Sequence, residues 1–214
     1  MGRLVAIEGL DGAGKQTLVR RLTAALTAAG ARVASDAFPR YGRSIYADLV
    51  REALHRGHGD LFDSVYGMAV LYALDRRDAI GSINDGLASH DVLLVDRYVA
   101  SNAAYQAARL HQDADGEVVR WVRELEVDRF GLPVPAAQLL LRVPVELAAE
   151  RAVCREHADA VRTRDAFETD GGLQRRCGEV YQQLAAGGWL APWHVIDGES
   201  TPDYRSLVET LFRA

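Results

Sequence analysis

The chain has 214 residues, 49% of them hydrophobic and 26% charged, a composition that suits an ordinary globular protein with a full core. Its 25 Lys and Arg against 30 Asp and Glu leave a formal charge of -5, which argues against a general nucleic-acid binder, because that work needs a basic surface. The 2 cysteines, Cys154 and Cys177, cannot make a disulfide scaffold, no apolar run reaches the length of a membrane span, and Met1 to Leu4 shows no leader pattern. The expectation is a cytoplasmic protein without a membrane or nucleic-acid partner.

In chain order, successive apolar residues from Leu4 to Ile7 predict a first strand covered on both faces. Leu18, Leu22 and Leu26 repeat at four-residue spacing and predict a helix that Gly30 stops. A weaker strand follows over Ala31 to Ala37. A long helical stretch covers 60–87, and Val92 to Val95 form a third strand ending at Asp96. Helical patterns then cover 100–111 and 118–130, a fourth strand runs from Gln138 to Val143, and helices cover 144–155 and 165–186. Trp193 to Ile196 make a fifth strand, and a last helix covers 202–212. Strands alternating with helices imply parallel strands joined by right-handed crossovers. The reading is a single α/β domain over residues 1–214, about five parallel strands flanked by helices.

After the first strand comes Gly9-Leu10-Asp11-Gly12-Ala13-Gly14-Lys15-Gln16-Thr17, the G-x-x-x-x-G-K pattern between a strand and a helix. Glycines let the backbone curl until several N–H groups point into one concavity, and the helix that follows aims its positive end there. Lys15 is the only lysine; the other basic residues are all arginine. A bias that replaced lysine everywhere else has spared the one position where a compact ammonium must meet phosphate oxygens. The loop is read as a nucleotide phosphate site. Its one departure is Gln16, where a Ser or Thr hydroxyl normally binds Mg²⁺, with Thr17 one position late.

The third strand runs into Asp96-Arg97-Tyr98, then Ser101-Asn102 and Ala104-Tyr105-Gln106, and strand carboxyl ends face the ligand crevice of such sheets. With this string the sequence resembles the thymidylate kinase family, which makes dTDP from dTMP on a P-loop kinase fold. Glu8 to Gly12, Phe38-Pro39-Arg40-Tyr41-Gly42, and Tyr66 to Arg76 with its Ala73-Leu74-Asp75-Arg76 ending carry the same resemblance, as does Arg164 to Glu168. It covers nearly the whole chain.

The resemblance implies ATP as donor, Mg²⁺, and a mobile lid at about 149–165 whose Arg155 acts on phosphate, since positions 10–14 carry no arginine. It places ATP on residues 9–17 and Arg155. It places dTMP against Asp11, Phe38, Pro39, Arg40, Tyr41, Tyr72, Arg76, Arg97, Asn102, Tyr105, Asp165 and Glu168. Tyr72 takes the place of a phenylalanine that stacks on thymine. Arg76 would donate to base O4, Asn102 would read N3, Arg97 would clamp the acceptor phosphate, and Tyr105 would sit against C2′. Asp11 and Glu168 would hold the metal, and Lys15, Arg97, Arg155 and Asp11 would carry catalysis.

Other readings stand beside this one. The loop would also serve a kinase for another pyrimidine monophosphate, or a switch ATPase with a protein or DNA partner. Arg151, Arg155, Arg162 and Arg164 alternate with acids, as a solvated face does, and Cys154 with His157 lacks the second pair of a zinc site. Trp121, Trp189 and Trp193 read as core or interface aromatics, and His55 and His58 as surface residues. Leu49, Val50 and Leu54, with the helix around Tyr66, suggest an apolar face between subunits; a homodimer is implied by the resemblance.

Overall fold

The computed structural model describes residues 2–158 and 165–213. Five strands, β1 (Arg3–Glu8), β2 (Val33–Ala37), β3 (Val92–Asp96), β4 (Ala137–Arg142) and β5 (Trp193–Asp197), form one sheet in the order β2-β3-β1-β4-β5. Every pairing is parallel. Central strands β1, β3 and β4 are the ones written as unbroken apolar runs, because helices cover both of their faces. Edge strand β2 is half-buried and mixes Ser35 and Asp36 into its run. In the register, Ile7 pairs with Asp96 and Glu8 with Leu140, so the glycine-rich loop and Arg97 leave the sheet side by side.

The helices follow the predicted pattern with corrections. Helix α1 (Lys15–Ala28) buries Leu18, Leu22 and Leu26, and Gly30 leaves it at φ +95° with its N–H on Thr27 O at 2.9 Å. The expected helix over 60–87 is two: α3 (Val65–Asp78) and α4 (Ile80–Ser89). Ser64 Oγ accepts from Gly67 N at 3.0 Å and starts α3 late; at Ala79 the N–H donates to Arg76 O at 3.1 Å, a tightened turn that redirects the chain. The stretch over 165–186 is also divided. Asp165 caps α8 (Ala166–Thr169), and Asp170 caps α9 (Gly171–Ala186) by accepting from Leu173 N at 2.9 Å.

Helix α2 (Ile45–Leu54) precedes α3 and was not foreseen; its Val50 and Leu54 lie in this chain's own core, which corrects their assignment to a subunit face. Helix α5 (Val99–Arg109) leaves β3, α6 (Glu117–Arg123) continues into a π-helical segment (Glu124–Arg129), and α7 (Val145–Ala158) follows β4. Helix α10 (Tyr204–Val208) ends in a second π-helical segment. The tryptophans pack against the core, Trp121 edge-on to Tyr66 with centroids 4.9 Å apart, and His55 and His58 are exposed.

Candidate functional site: a phosphate loop facing an acceptor pocket

The loop after β1 bends through Gly9, Gly12 and Gly14, all at positive φ, a region that side-chain-bearing residues enter only with strain. A Cβ on Gly12 would stand 2.0 Å from Ala148 O, so this glycine also lets the loop lie directly on α7. Lys15 Nζ curls back over the loop and donates to Gly9 O at 3.1 Å and Leu10 O at 2.8 Å. Burial and the neighbouring Arg97 charge push its pKa down, against the pull of Asp96, Asp11 and Glu8. Leu10 and Ala13 turn their side chains into the core. Asp11, Gly12, Gly14, Lys15, Gln16 and Thr17 line a cavity of about 700 Å³ at the carboxyl end of the sheet.

Across this cavity stands the start of α5. Arg97 sits at φ +65°, uncommon for a non-glycine residue, with its N–H on Ile7 O at 2.9 Å. Its Nη2 donates to Asp11 Oδ1, and its Nη1 to Ser101 Oγ at 3.3 Å. Tyr105 OH donates to Asp11 Oδ2 at 2.6 Å. Burial works to raise the Asp11 pKa, but Arg97, Lys15 and the Tyr105 hydrogen bond together hold it below the usual carboxylate range. Beneath them lies Glu8, fully buried, which accepts from Tyr98 N at 2.9 Å, Ser101 Oγ at 2.5 Å and Tyr181 OH at 3.1 Å. Burial raises its pKa. Glu8 thereby ties the first turn of α5 to the end of β1.

The far end of the cavity combines apolar walls with polar atoms. Phe38, Pro39, Tyr41, Tyr72 and Leu54 supply apolar walls, and Arg76, Asn102 and Gln106 supply polar atoms. Arg76 donates through Nε and Nη2 to Glu126 at 2.5 and 2.7 Å. Asn102 Nδ2 donates to Ala69 O at 3.0 Å and Glu126 Oε1 at 2.8 Å, and its Oδ1 accepts from Gln106 Nε2 at 3.2 Å.

Most of the residues assigned from the sequence therefore meet around one space. Arg40 does not line it: its Nε donates to Asp75 Oδ1 at 2.9 Å and its Nη2 to Asp78 Oδ2 at 2.6 Å, so it pins the loop after β2 to α3 instead. The side chain of Arg155, with Arg162 and Arg164, lies outside the described residues. Asp165 Oδ1 accepts from Phe167 N at 2.8 Å and Glu168 N at 3.0 Å, and burial beside the Asp11 carboxylate pushes its pKa up to about 7. Glu168 lines the cavity near it.

Sequence reasoning passed over several participants. Arg151, one helical turn before Arg155, reaches the loop: its Nη1 donates to Ala13 O at 3.1 Å. Spacing alone puts 151 and 155 on one helix face, which was the available signal. Ser101 stands in the string after the third strand but carried no role of its own there, and Glu126 had no signal beyond being polar in apolar surroundings. Asp96 Oδ1 is buried without a hydrogen-bond partner at the edge of the cavity. Among the described residues no three His, Cys, Asp or Glu side chains group closely enough to hold a metal by themselves. A magnesium ion that meets phosphates needs only one or two carboxylates and keeps several waters. Asp11 and Glu168 line the cavity and Asp96 brings an unpartnered oxygen to its edge, so one or two of these carboxylates could meet that requirement.

Comparison with known proteins gives the family of the chain. The family model described as "Thymidylate kinase" matches residues 7–203. A thymidylate kinase of Mycobacterium tuberculosis (strain H37Rv) is 53% identical over 199 residues, covering 93% of this chain and 93% of the relative. One from Xanthomonas oryzae pv. oryzae (strain PXO99A) is 36% identical over 204 residues, 94% of this chain and 78% of the relative. One from Akkermansia muciniphila is 34% identical over 193 residues, 90% of this chain and 81% of the relative. The glycine-rich loop, the Asp11–Arg97–Tyr105 cluster and the cavity between them thus sit in a chain that belongs to the thymidylate kinase family.

Proposed function

We propose that this chain transfers the γ-phosphoryl group of ATP to dTMP, giving dTDP, inside the cavity between the loop and α5. The family match carries the reaction, and the opposed placement of Lys15 and Arg97 in one cavity supports the site. It disfavours a switch ATPase, which has no use for a second, ring-shaped pocket.

ATP lies with its β- and γ-phosphates on the backbone N–H groups of residues 9–17, and Lys15 exchanges the Gly9 and Leu10 carbonyls for phosphate oxygens. The dTMP phosphate meets Arg97, the sugar lies against Tyr105, and thymine rests between Phe38 and Tyr72 with O4 toward Arg76 and N3 toward Asn102. The nucleophile is an acceptor phosphate oxygen, already ionised, so no general base is needed; the protein aligns two anions and neutralises their charge. Mg²⁺, when bound, would supply charge neutralisation to the phosphates, and Asp11, Glu168 and Asp96 are the residues from which it would be held, directly or through water. Arg151 rests on the loop, and Arg155 on the same face of α7 is assigned to the transferring phosphate, within a lid over about 149–165. The net charge of -5 and the free Cys154 and Cys177 support work in the cytoplasm without nucleic acid or membrane, and exposed Ile45 and Tyr66 on α2 and α3 offer a surface for a homodimer.

The test is ADP release from ATP with and without dTMP, with magnesium present and then chelated. Release that is nearly silent until dTMP and magnesium are both present supports the reading; release indifferent to dTMP overturns it.

A further inference from the structure

One fully buried carboxylate is left unused by that mechanism. Glu126 is 0% exposed and its partner Arg76 is 2% exposed. Both Glu126 oxygens are engaged: Oε2 takes Arg76 Nε at 2.5 Å, while Oε1 takes Arg76 Nη2 at 2.7 Å and Asn102 Nδ2 at 2.8 Å. It thus joins the two residues assigned to the base. A buried ion pair is a poor stabiliser, since apolar replacements of similar volume are often as stable or more so. A reason other than stability is called for.

The backbone at Glu126 points the same way. It lies in the π-helical segment Glu124–Arg129, a geometry that occupies well under 1% of residues in proteins and recurs at functional sites. The wider turn is held by Phe130 N on Leu125 O at 3.0 Å, and Leu132 N closes on Glu126 O at 3.0 Å.

Donor and acceptor chemistry then decides how Asn102 faces its ligand. Both partners of its Nδ2, Ala69 O and Glu126 Oε1, only accept. The amide cannot be turned over without setting its oxygen against two acceptors, so its orientation is settled by the network. Asn102 Oδ1 takes Gln106 Nε2 at 3.2 Å and keeps one lone pair for the cavity. That acceptor suits a pyrimidine N3–H, and the guanidinium of Arg76 suits a carbonyl O4. Cytosine offers the opposite at both places, an acceptor at N3 and an amino donor at C4.

We propose that Glu126 is the positioning residue that sets base specificity, by locking Asn102 with its oxygen toward the ligand and Arg76 as a donor beside it, so that 4-oxo pyrimidines are accepted and 4-amino pyrimidines rejected. This rests on the assignment of Arg76 and Asn102 to the base. Glu126→Gln keeps the shape but leaves a single accepting oxygen, so an NH₂ must face either Arg76 Nε or the Asn102 amide, and the two donors are no longer held together by one carboxylate.

The experiment compares kcat/KM for dTMP and dCMP in wild type and Glu126→Gln, with KM for ATP as control. Wild type should prefer dTMP by about 100-fold or more, as sites built on hydrogen bonds do. In the variant the preference should shrink at least about tenfold, chiefly through KM for dTMP, with KM for ATP unchanged. A wild type without preference sinks the base assignment itself; a wild type with preference and a variant that keeps the same ratio, at whatever activity, sinks the role of Glu126 alone. Should the variant not fold, the wild type decides. The Asn102 side-chain NH₂ protons, followed by NMR, should stay protected from exchange and little shifted when dTMP is added; a large shift of both, or loss of protection, overturns the proposal.

Discussion

Arg97 and Asp11, 86 positions apart in the sequence, share a charge-assisted hydrogen bond at the centre of the cavity, and Tyr105 holds the other carboxylate oxygen at 2.6 Å. Arg97 is thereby aimed before any phosphate arrives, and Asp11 is kept ionised by the same contact. The two form a unit. Arg97→Ala should lower kcat/KM for dTMP by on the order of 10³, because the acceptor phosphate loses both its clamp and the charge that offsets its repulsion from the donor phosphates. Asp11→Asn should lower it too, and the double variant should lose less than the product of the single losses, because the singles remove one shared interaction. Steady-state kinetics of the four proteins measures this; strictly multiplicative losses would separate the two residues.

Tyr105 separates ring from hydroxyl. Tyr105→Ala opens space where the sugar lies, so acceptance of the ribonucleotide should rise relative to the deoxynucleotide. Tyr105→Phe keeps the ring, so it should preserve the deoxy preference while weakening magnesium-dependent turnover through the loosened Asp11. The ribo-to-deoxy ratio of kcat/KM checks both; an unchanged ratio in the alanine variant would remove Tyr105 from the sugar.

A thymine methyl group against apolar Phe38, Pro39 and Leu54 is worth about 1–3 kcal/mol, hence roughly 10–200-fold in kcat/KM. dUMP should therefore be a poorer substrate and still a substrate. Equal kcat/KM for dUMP and dTMP would mean that nothing in the pocket reads the methyl group.

The raised pKa of Asp165, about 7, sets a pH dependence of stability. Between the ordinary aspartate value near 4 and pH 7 the unfolded chain gives up this proton and the folded chain keeps it, so stability from this group falls as pH rises through that window. Asp165→Asn, which keeps an acceptor for Phe167 N and Glu168 N but cannot ionise, should gain stability relative to wild type from pH 4 to pH 8. Denaturant melts of both proteins at several pH values measure the gap; a constant gap would contradict the shift.

Much of this was legible in the residues. The apolar runs Val92 to Val95 and Leu139 to Leu141 announce strands because they are buried on both faces, and the loop glycines with Lys15 announce a phosphate site. Helix α2 was hidden because Ile45, apolar, is 66% exposed while the small Ala47 and Ala53 face inward, so hydrophobicity and burial part company there. The break at Ala79 has no proline to announce it, and the apolar spacing runs on across it from α3 into α4. The position of Arg40 outside the cavity was not legible because a motif gives sequence neighbours, while its partners Asp75 and Asp78 lie on α3, far along the chain. Glu126 was invisible for the same reason: a buried ion pair leaves no periodic trace, and its turn departs from helical spacing.

The central claim is that one cavity holds donor and acceptor nucleotides end to end, Lys15 on one side and Arg97 on the other. Its most direct measurement is competition by a single molecule that joins thymidine to adenosine through a polyphosphate chain. Displacement of both ATP and dTMP by that molecule, with affinity well above that of either nucleotide, is the result this account requires. Competition with only one of them would show that the two phosphates do not meet in this cavity.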